Sequence, residues 1–349
     1  MKKILLPLLF LCFLNFSFSN AQEKTSLIVD GEKHFASMKQ LTFGGQNAEA
    51  YFSTDNTKII FQSTRDSFQC DQMFTMNIDG SNVHLVSTGK GRTTCGYFFP
   101  DDKQILFSST HLHADTCPPP LDYSKGYVWK VNPDYDIFTS DANGKNLHTL
   151  SATSGYDAEA TISPIGDKVV FTSTRDGDLE LYTMNLDGSN IKRLTNVVGY
   201  DGGAFFSPDG KKICYRAFHP TKKEDIESYQ SLLKENLVRP TTMEIMIMDA
   251  DGSNKKQLTF NAKANFAPYF HPDGKRIIFA SNVNDPKQRN FDLYMIGIDG
   301  NNIEQITYND TFDGFPMFTK DGKHLIFASN RNGKVKGETN IFITDWKER

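Results

Sequence analysis

A short sequence pattern occurs six times along this 349-residue chain, and it restricts the possible folds more than any other feature. Each copy contains a β-branched and aromatic segment, and these segments centre on Phe61, Phe107, Phe171, Tyr215, Phe279 and Phe327. The copies lie 44 to 48 residues apart, except that two insertions lengthen the interval to 64 residues. Repeats of this length with four short strands each are typical of β-propeller blades. The sequence therefore predicts an all-β fold, a six-bladed β-propeller.

Turn-forming residues divide each copy into short strands. The fourth copy contains Ser-Pro-Asp-Gly at 207–210, and the third contains Asp187-Gly188. Proline and glycine favour a tight reversal in the first case, and Asp-Gly is a strong hairpin signal in the second. Because no stretch alternates strands with helices, a parallel α/β fold is excluded.

The two ends of the repeat array complement each other. The sixth copy stops after three predicted strands, and a spare copy of its missing Leu-Thr element occurs early in the chain as Leu41-Thr42. We expect this N-terminal strand to complete the last blade, which closes the ring and covers two strand edges. The predicted propeller domain spans 38–349 and follows an N-terminal lead at 22–37.

Residues 1–21 have the pattern of a secretory signal peptide. Lys2 and Lys3 precede an apolar stretch, and Ser19 and Ala21 provide small residues where signal peptidase cleaves. No other segment is long and apolar enough to cross a membrane, so we expect a bacterial protein that is periplasmic or secreted. The net charge of −4 becomes −6 without the two lysines, which disfavours nucleic acid and anionic membranes as partners.

Export would place the cysteines in an oxidising compartment. Cys70, Cys95 and Cys117 all fall in connections that open on the same face of a propeller. We expect one disulfide among these three, with Cys95 bonded to either Cys70 or Cys117, and the pairing stays open because spacing does not determine it. Cys214 falls within a strand and is expected to be a buried free thiol.

The repeat resembles that of a known family. Its elements Leu-Thr, Ser-Pro-Asp-Gly-Lys and Tyr-x-Met-Asn-x-Asp-Gly, found at 194–195, 207–211 and 182–188, are similar to those of the TolB-type propeller, the periplasmic protein of the Tol–Pal envelope system. They also resemble the propellers of dipeptidyl peptidase-like enzymes. The resemblance implies the fold, whereas repeat residues maintain blades and say little about function.

Two departures from these relatives shape the expected architecture. TolB carries an α/β domain before its propeller, and 22–37 offers no counterpart to it. No Gly-x-Ser-x-Gly nucleophile motif occurs. We therefore expect a propeller without the α/β domain and without a hydrolase domain.

Polar residues recur near the start of each first strand. One position is polar in all six copies and is expected to form a ring around one mouth of the central channel: Asn47, Thr93, Asp157, Asp201, Asn265 and Asp313. The position two residues later adds two carboxylates, Glu49 and Glu159. A carboxylate ring favours binding of a cation, an amine or a peptide terminus. The alternative is that these groups hydrate the mouth and bond neighbouring backbone.

Cationic side chains are expected where the second strands end. Arg65, Arg175 and Arg331 precede turns, so a surface ion pair also explains them, whereas Arg216 and His111 each open an insertion and are better candidates for ligand contact. The predicted ligand-binding residues are Glu49, Asp157, Glu159, Asp201, Asp313, His111, Arg175 and Arg216.

The insertion at 111–134 places histidine, carboxylate and thiol side chains at alternating positions, namely His111, His113, Asp115 and Cys117. Such side chains bind zinc, but the spacing matches no established site. The first three are therefore only weak metal candidates, and we predict no metal and no cofactor. Aromatic residues that suit a binding lip follow them: Tyr123, Tyr127 and Trp129.

The insertion at 218–242 predicts a helix. Thr221 and Glu224 form a capping box, Pro240 ends the segment, and apolar residues recur at helical spacing between them. We expect this apolar stripe to pack on the propeller. Since both insertions leave the same face and flank the third blade, we expect them to wall a cleft over Glu159 and Arg175.

Three functions are compatible with these features. The leading hypothesis is a monomeric, non-enzymatic exported scaffold that binds a protein, a peptide or an envelope polymer, such as a glycan, on the insertion-bearing face. The second is a hydrolase or lyase acting on a glycan or a peptide, with Glu49, Glu159 and His111 as acid–base groups. The third is a structural propeller without a ligand. No residue is assigned a catalytic role.

Overall fold

The computed structural model describes residues 26–349, and these residues form six four-stranded antiparallel sheets arranged as the blades of a propeller. The six-bladed prediction is therefore confirmed. The predicted signal peptide, 1–21, lies outside the described residues. No helix within 26–349 is long and apolar enough to span a bilayer.

Each of the first three blades is built from four strands of one repeat. Blade one contains β2 (Gln46–Phe52), β3 (Lys58–Thr64), β4 (Gln72–Asn77) and β5 (His84–Leu85). Blade two contains β6 (Thr93–Phe98), β7 (Gln104–Ser109), β9 (Asp136–Asp141) and β10 (His148–Ser151), with β8 (Trp129–Lys130) in its insertion. Blade three contains β11 (Asp157–Ile162), β12 (Val169–Ser173), β13 (Glu180–Met184) and β14 (Lys192–Arg193).

Blades four and five follow the same order, and blade six takes its fourth strand from the N-terminus. Blade four contains β15 (Tyr200–Phe206), β16 (Lys212–Phe218), β18 (Glu244–Asp249) and β19 (Lys256–Gln257), with α1 (Lys223–Lys234) and β17 (Leu237–Val238) in its insertion. Blade five contains β20 (Asn265–Phe270), β21 (Arg276–Ser281), β22 (Asp292–Gly297) and β23 (Glu304–Gln305). Blade six contains β24 (Asp313–Phe318), β25 (His324–Ser329), β26 (Asn340–Trp346) and the N-terminal β1 (Phe35–Gln40).

The N-terminal strand closes the ring, as predicted. β1 pairs antiparallel with β26, with Phe35 opposite Trp346 and Gln40 opposite Phe342. The residues just before β1 also pack on this blade, because Glu32 forms a buried ion pair with Arg331 at 2.9 Å. The closure therefore joins the two ends of the array through both backbone and side-chain contacts.

The core lies between neighbouring blades and follows the repeat. The six aromatic residues on which the copies align, Phe61, Phe107, Phe171, Tyr215, Phe279 and Phe327, are all fully buried. Burial of one such side chain stabilises the fold by about 1.5 to 3 kcal/mol. The aromatic residue of each repeat is therefore a core residue of its blade.

The two insertions meet over the propeller. β8 pairs with β17, and the carbonyl of Lys125, which lies in a short 3₁₀ turn (Tyr123–Lys125), accepts a hydrogen bond from Arg239 at 3.2 Å. Tyr229 and Leu232 bury one side of α1 against the propeller. The predicted capping box is wrong, since Lys222 precedes the helix and no side chain caps it. Glu224 and Asp225 instead lie in the first turn, where negative charge suits the helix dipole.

The central channel of the propeller opens at two ends. The connections between second and third strands, including both insertions, lie at the end that we call the insertion face. The hairpins between first and second strands lie at the opposite end, the turn face.

Candidate functional site

A β-bulge in every first strand turns one residue toward the channel. The pairing register shifts at one place in each first strand. The bulged residues have left-handed backbone conformations with φ from 47° to 60°, namely Glu49, Cys95, Glu159, Gly203, Ala267 and Phe315. All six line one pocket of about 570 Å³ on the insertion face. Bulges commonly redirect side chains next to functional sites. Non-glycine residues with a left-handed backbone are strained, and such strain also clusters at functional sites.

The floor of this pocket is a layer of mostly aromatic side chains two residues further along the first strands. The rings of Tyr51 and Tyr97 lie 5.6 Å apart, those of Tyr51 and Phe205 lie 5.5 Å apart, and those of Phe205 and Tyr269 lie 5.3 Å apart. A second, smaller pocket of about 110 Å³ lies on the turn-face side of this layer. The insertion-face pocket is therefore a cup with an aromatic floor.

Glu159 and Arg216 lie in the wall of the cup but bind each other. A guanidinium nitrogen of Arg216 contacts Glu159 Oε1 and donates to the Tyr200 hydroxyl at 2.6 Å. Glu159 Oε2 also accepts hydrogen bonds from Thr172 and from the Gly203 backbone, both at 2.9 Å. Because both charges have partners within the protein, this ion pair stabilises the wall of the cup.

The absence of a side chain at Gly203 makes room for this ion pair. A Cβ atom built on Gly203 would lie 2.0 Å from Arg216 Nη1. The indole of Trp129, from the blade-two insertion, covers the other side of the guanidinium, with the ring centre 5.5 Å away. The arginine is thus held between one blade and one insertion, in a cation–π contact of the kind that stabilises partly desolvated guanidinium groups.

Glu49 is the carboxylate of the cup that lacks a cationic partner. None of the ion pairs formed within 26–349 involves Glu49, and its side chain hydrogen bonds with the Cys95 thiol. Burial raises the pKa of Glu49 to about 7, the hydrogen bond from Cys95 opposes this rise, and the nearby Glu159 charge adds to it. Glu49 therefore changes protonation near neutral pH.

The upper wall of the cup is aromatic and its rim is basic. Trp129 and Phe266 have ring centres 4.9 Å apart, and Phe266 and Phe291 have theirs 5.2 Å apart. Trp129 Nε1 donates to the hydroxyl of Tyr127, which is 53% exposed. The remaining lining includes Tyr135, Tyr156 and Phe312, together with the exposed cations Lys130 and Arg289.

Tyr127 and Trp129 thus lie where the predicted lip was placed, whereas the side chain of Tyr123 lies outside what the structure describes. The expected cleft forms over Glu159, but Arg175 is not among the residues that line it. Phe266, Phe291, Phe312 and Arg289 were not predicted. The sequence signal for the three aromatic residues is their place at the start of a strand, since Phe291 and Phe312 directly precede β22 and β24 and Phe266 is the second residue of β20. No comparable signal marks Arg289.

The ring predicted from the position two residues before each bulge does not face the channel. Asn47, Thr93, Asp157, Asp201, Asn265 and Asp313 are all buried. The backbone N–H at each position donates to a carbonyl just before the third strand of the preceding blade, which covers the side chain. Each aspartate pairs with a side chain that follows the second strand of its own blade: Asp157 with Arg175 at 3.1 Å, Asp201 with His219 at 3.0 Å, and Asp313 with Arg331 at 2.7 Å. These residues form the seams between blades, so their prediction as ligand contacts is not supported by their positions.

The proposed histidine and carboxylate cluster of blade two is also dispersed. His111 packs on Phe138 with 4.3 Å between ring centres, outside the cup, and burial lowers its pKa. His113 hydrogen bonds with Asp136 at 3.1 Å, and Asp115 forms an ion pair with Lys90 at 2.9 Å. Within 26–349, no group of three or more potential ligands is placed to hold a metal ion.

One disulfide forms among the three candidate cysteines. Cys70 is bonded to Cys117, and Cys95 is a free thiol, so the prediction that Cys95 takes part is wrong. Cys95 occupies the bulge and turns into the cup, away from the outer loops that carry the other two. Burial and the charges of Glu49 and Glu159 hold the pKa of Cys95 well above its usual value.

Comparison with known proteins identifies the repeat. The family model described as the TolB beta propeller domain matches residues 127–235 and 237–347, which is more than half of the chain. No curated protein matches the chain.

Solved structures share the fold at low sequence identity. TolB from Agrobacterium tumefaciens has a TM-score of 0.56 at 16% identity, over 87% of this chain and 91% of that one. TolB from Acinetobacter baumannii has a TM-score of 0.54 at 18% identity, over 88% of this chain and 65% of that one. An oligogalacturonate lyase in complex with manganese has a TM-score of 0.51 at 16% identity, over 90% of this chain and 95% of that one. Identities this low show a common fold, and a common fold does not imply a common function.

Proposed function

Because this chain belongs to the TolB-type β-propeller family, we propose that it is an exported, non-enzymatic binding protein of the bacterial envelope. The proposed ligand is an extended segment of a partner protein, which enters the cup on the insertion face. The observation that carries this proposal is the cup itself, a pocket of about 570 Å³ with aromatic walls and a carboxylate at its base.

The chemistry of the walls suits binding of a polypeptide. Aromatic side chains supply large contact area at a small cost in conformational entropy, and pockets of several hundred Å³ bury most of a small ligand or side chain. The ion pair of Glu159 and Arg216 holds Trp129 in place through its cation–π contact. The cup is therefore formed before a ligand arrives, which lowers the entropic cost of binding.

The disulfide supports the proposed location. Disulfides persist in oxidising compartments such as the periplasm and are rare in the cytosol. The bond between Cys70 and Cys117 ties the blade-two insertion to blade one, so the same compartment would stabilise one wall of the cup. We propose that residues 1–21 direct this export and that the binding domain is the propeller, whose first strand begins at Phe35.

Site-specific photo-crosslinking tests the proposal. A benzophenone amino acid replaces Tyr127 at the rim of the cup or Ile165 on the turn face, which are 53% and 60% exposed. We expect a crosslinked polypeptide in the native cell envelope from position 127 and none from position 165. A crosslink from position 165 alone, or from neither position, would contradict the proposal.

A pocket-filling variant provides the matched control. Ala267 has the same left-handed conformation as Phe315, with φ of 48° and 54°, so Ala267→Phe introduces a side chain that this backbone already accepts one blade later. We expect this variant to fold normally and to lose the crosslink from position 127. Retention of the crosslink would place the interaction outside the cup.

A second candidate function is acid–base catalysis on a glycan or peptide. It is favoured by one observation, the pKa of about 7 at Glu49 beside the paired carboxylate of Glu159, because two carboxyl groups in different environments suit acid and base roles. His111, earlier considered for this role, does not line the cup. Turnover of envelope glycans or peptides that is lost in Glu49→Gln while crosslinking is retained would favour this candidate over the binding protein.

A further inference from the structure

The charges of the cup are arranged by depth. Glu49 lies on the bulge of a first strand at the base, whereas Lys130 and Arg289 lie on connections at the rim and are exposed. Glu159 and Arg216 neutralise each other in the wall. The base therefore presents a carboxylate without a cation, and the rim presents two cations, so a complementary ligand is positive at its inner end and negative nearer solvent.

Aromatic rings surround the base of the cup. Tyr51 and Tyr135 lie close enough to Glu49 that its charge contributes to the raised pKa of both hydroxyls, although burial is the larger cause. Phe315 lines the cup from the neighbouring blade. A carboxylate among aromatic faces binds an organic cation through both an ion pair and cation–π contacts.

Building on the proposed function, we propose that the cup recognises a lysine-type primary ammonium group, which pairs with Glu49 at the base. The ammonium group belongs to a peptide segment whose neighbouring residues are acidic and contact Lys130 and Arg289 at the rim.

The shape of lysine suits this arrangement. Its ammonium group is a compact charge at the end of a flexible four-carbon stem. Such a stem packs along apolar surface while the charge reaches a polar group beyond it. The stem would contact the aromatic wall of Trp129 and Phe266, and the peptide backbone would remain at the rim.

The groups that face Glu49 set its pH response. They are Cys95, Glu159 and Arg216 from blades two, three and four, Asp71, and the hydroxyls of Tyr51 and Tyr135. With a pKa of about 7, Glu49 is mostly protonated at pH 6 and mostly ionised at pH 8. Lysine and aspartate side chains of a free peptide keep their charges over this range. A change in affinity between these pH values that Glu49→Gln abolishes therefore reports on Glu49.

Calorimetric titration of the purified chain with synthetic peptides tests the inference. The probes are acetylated Asp-Lys-Asp amide and its norleucine analogue, which keeps the stem and lacks the ammonium group. We expect the lysine peptide to bind about tenfold more tightly than the analogue at pH 8, and this advantage to fall about tenfold at pH 6 as Glu49 is protonated. In Glu49→Gln we expect no advantage at either pH.

Two controls separate the possible failures. Asp167→Asn removes one exposed carboxylate on the turn face and should leave the lysine advantage unchanged. Equal binding of the two peptides at pH 8, or no binding of either, overturns the inference, while a crosslink at position 127 that Ala267→Phe abolishes would still support the proposed function. The comparison of the two peptides needs no variant, so it remains decisive if Glu49→Gln fails to fold.

Discussion

Glu49 in blade one and Glu159 in blade three occupy the same repeat position, yet their surroundings differ. Both lie on a first-strand bulge with left-handed backbone, at φ of 47° and 55°. Glu159 faces Arg216 on the second strand of blade four, where Gly203 leaves space for the guanidinium. Glu49 faces blade two, where Ser108 stands at the position equivalent to Arg216 and Cys95 at the position equivalent to Gly203.

Because of this difference, Glu159 is a structural carboxylate, whereas Glu49 is a carboxylate that can still bind a ligand. Glu159 has an arginine and hydrogen-bond donors within the protein, so it stabilises the wall of the cup. Glu49 has one thiol partner and a pKa of about 7, so it can still gain an interaction when a ligand binds. The neighbouring blade, and not the glutamate itself, decides the role.

The largest expected effect comes from removing the partner of Glu159. Arg216→Ala leaves a carboxylate unpaired among aromatic residues, and loss of one partner of a buried ion pair costs about 3 to 5 kcal/mol. The free energy of unfolding, measured by urea denaturation, should fall by that amount. Replacing both Glu159 and Arg216 by methionine should recover much of the loss. A loss below about 1 kcal/mol in Arg216→Ala would show that the ion pair does not stabilise the wall of the cup.

A smaller effect is expected at the glycine that accommodates the arginine. Gly203→Ala introduces a Cβ 2.0 Å from Arg216 at a left-handed position, and such strain costs about 1 to 3 kcal/mol. The matched control is Ala267→Gly, because Ala267 has the same backbone conformation and faces no arginine in blade five. Thermal denaturation should show a clear drop in Tm for Gly203→Ala and little change for Ala267→Gly. A rise in the Tm of Ala267→Gly as large as the drop in Gly203→Ala would mean that backbone conformation alone determines the cost.

Glu49 should make stability depend on pH near neutrality. Its pKa is raised to about 7 in the folded protein, so the folded state binds a proton more tightly than the unfolded state does. Stability from this group is therefore present at low pH and is lost as pH rises through 7, by about 1 kcal/mol between pH 6 and pH 8. We expect Glu49→Gln to lose less stability over this range than the wild type, whereas Asp292, with a pKa also raised to about 7, contributes equally to both. Parallel pH profiles would contradict the unpaired state of Glu49.

The smallest effect concerns the thiol beside Glu49. Cys95 should react slowly with iodoacetamide at neutral pH, because burial and the two carboxylates raise its pKa and the thiolate is the reactive form. Glu49→Gln removes one of these charges and should increase the alkylation rate about threefold. Cys214, which is fully buried in blade four, serves as the unreactive reference in the same mass-spectrometric measurement. An unchanged rate at Cys95 would place Glu49 too far away to influence it.

Much of the fold could be predicted because its signals are local. The aromatic residue of each repeat, the Asp-Gly hairpins and the N-terminal strand that closes the ring all depend on short segments, and each lies in the predicted blade. The cup was predicted less well. The sequence predicts Glu159 and Arg216 as ligand contacts, whereas they bind each other, and it predicts the same role for the aspartates of the blade seams.

The error at the seams has a physical cause. In a regular strand, positions two residues apart face the same side, so Asp157 and Glu159 looked equivalent. A bulge between Ala158 and Thr161 changes the direction of the strand, and the preceding blade covers the first position through a backbone hydrogen bond to Tyr135. Neither effect is visible in one repeat.

The sequence by itself determined the number of blades, the ring closure and the placement of the insertions, because repeat period and turn chemistry act over a few residues. Only the tertiary structure decided which carboxylate of the cup has a cation, which cysteines bond, and that both insertions pair through Trp129 and Val238. These outcomes depend on contacts between blades, where a single side chain such as Gly203 or Cys95 changes what the neighbouring glutamate can do.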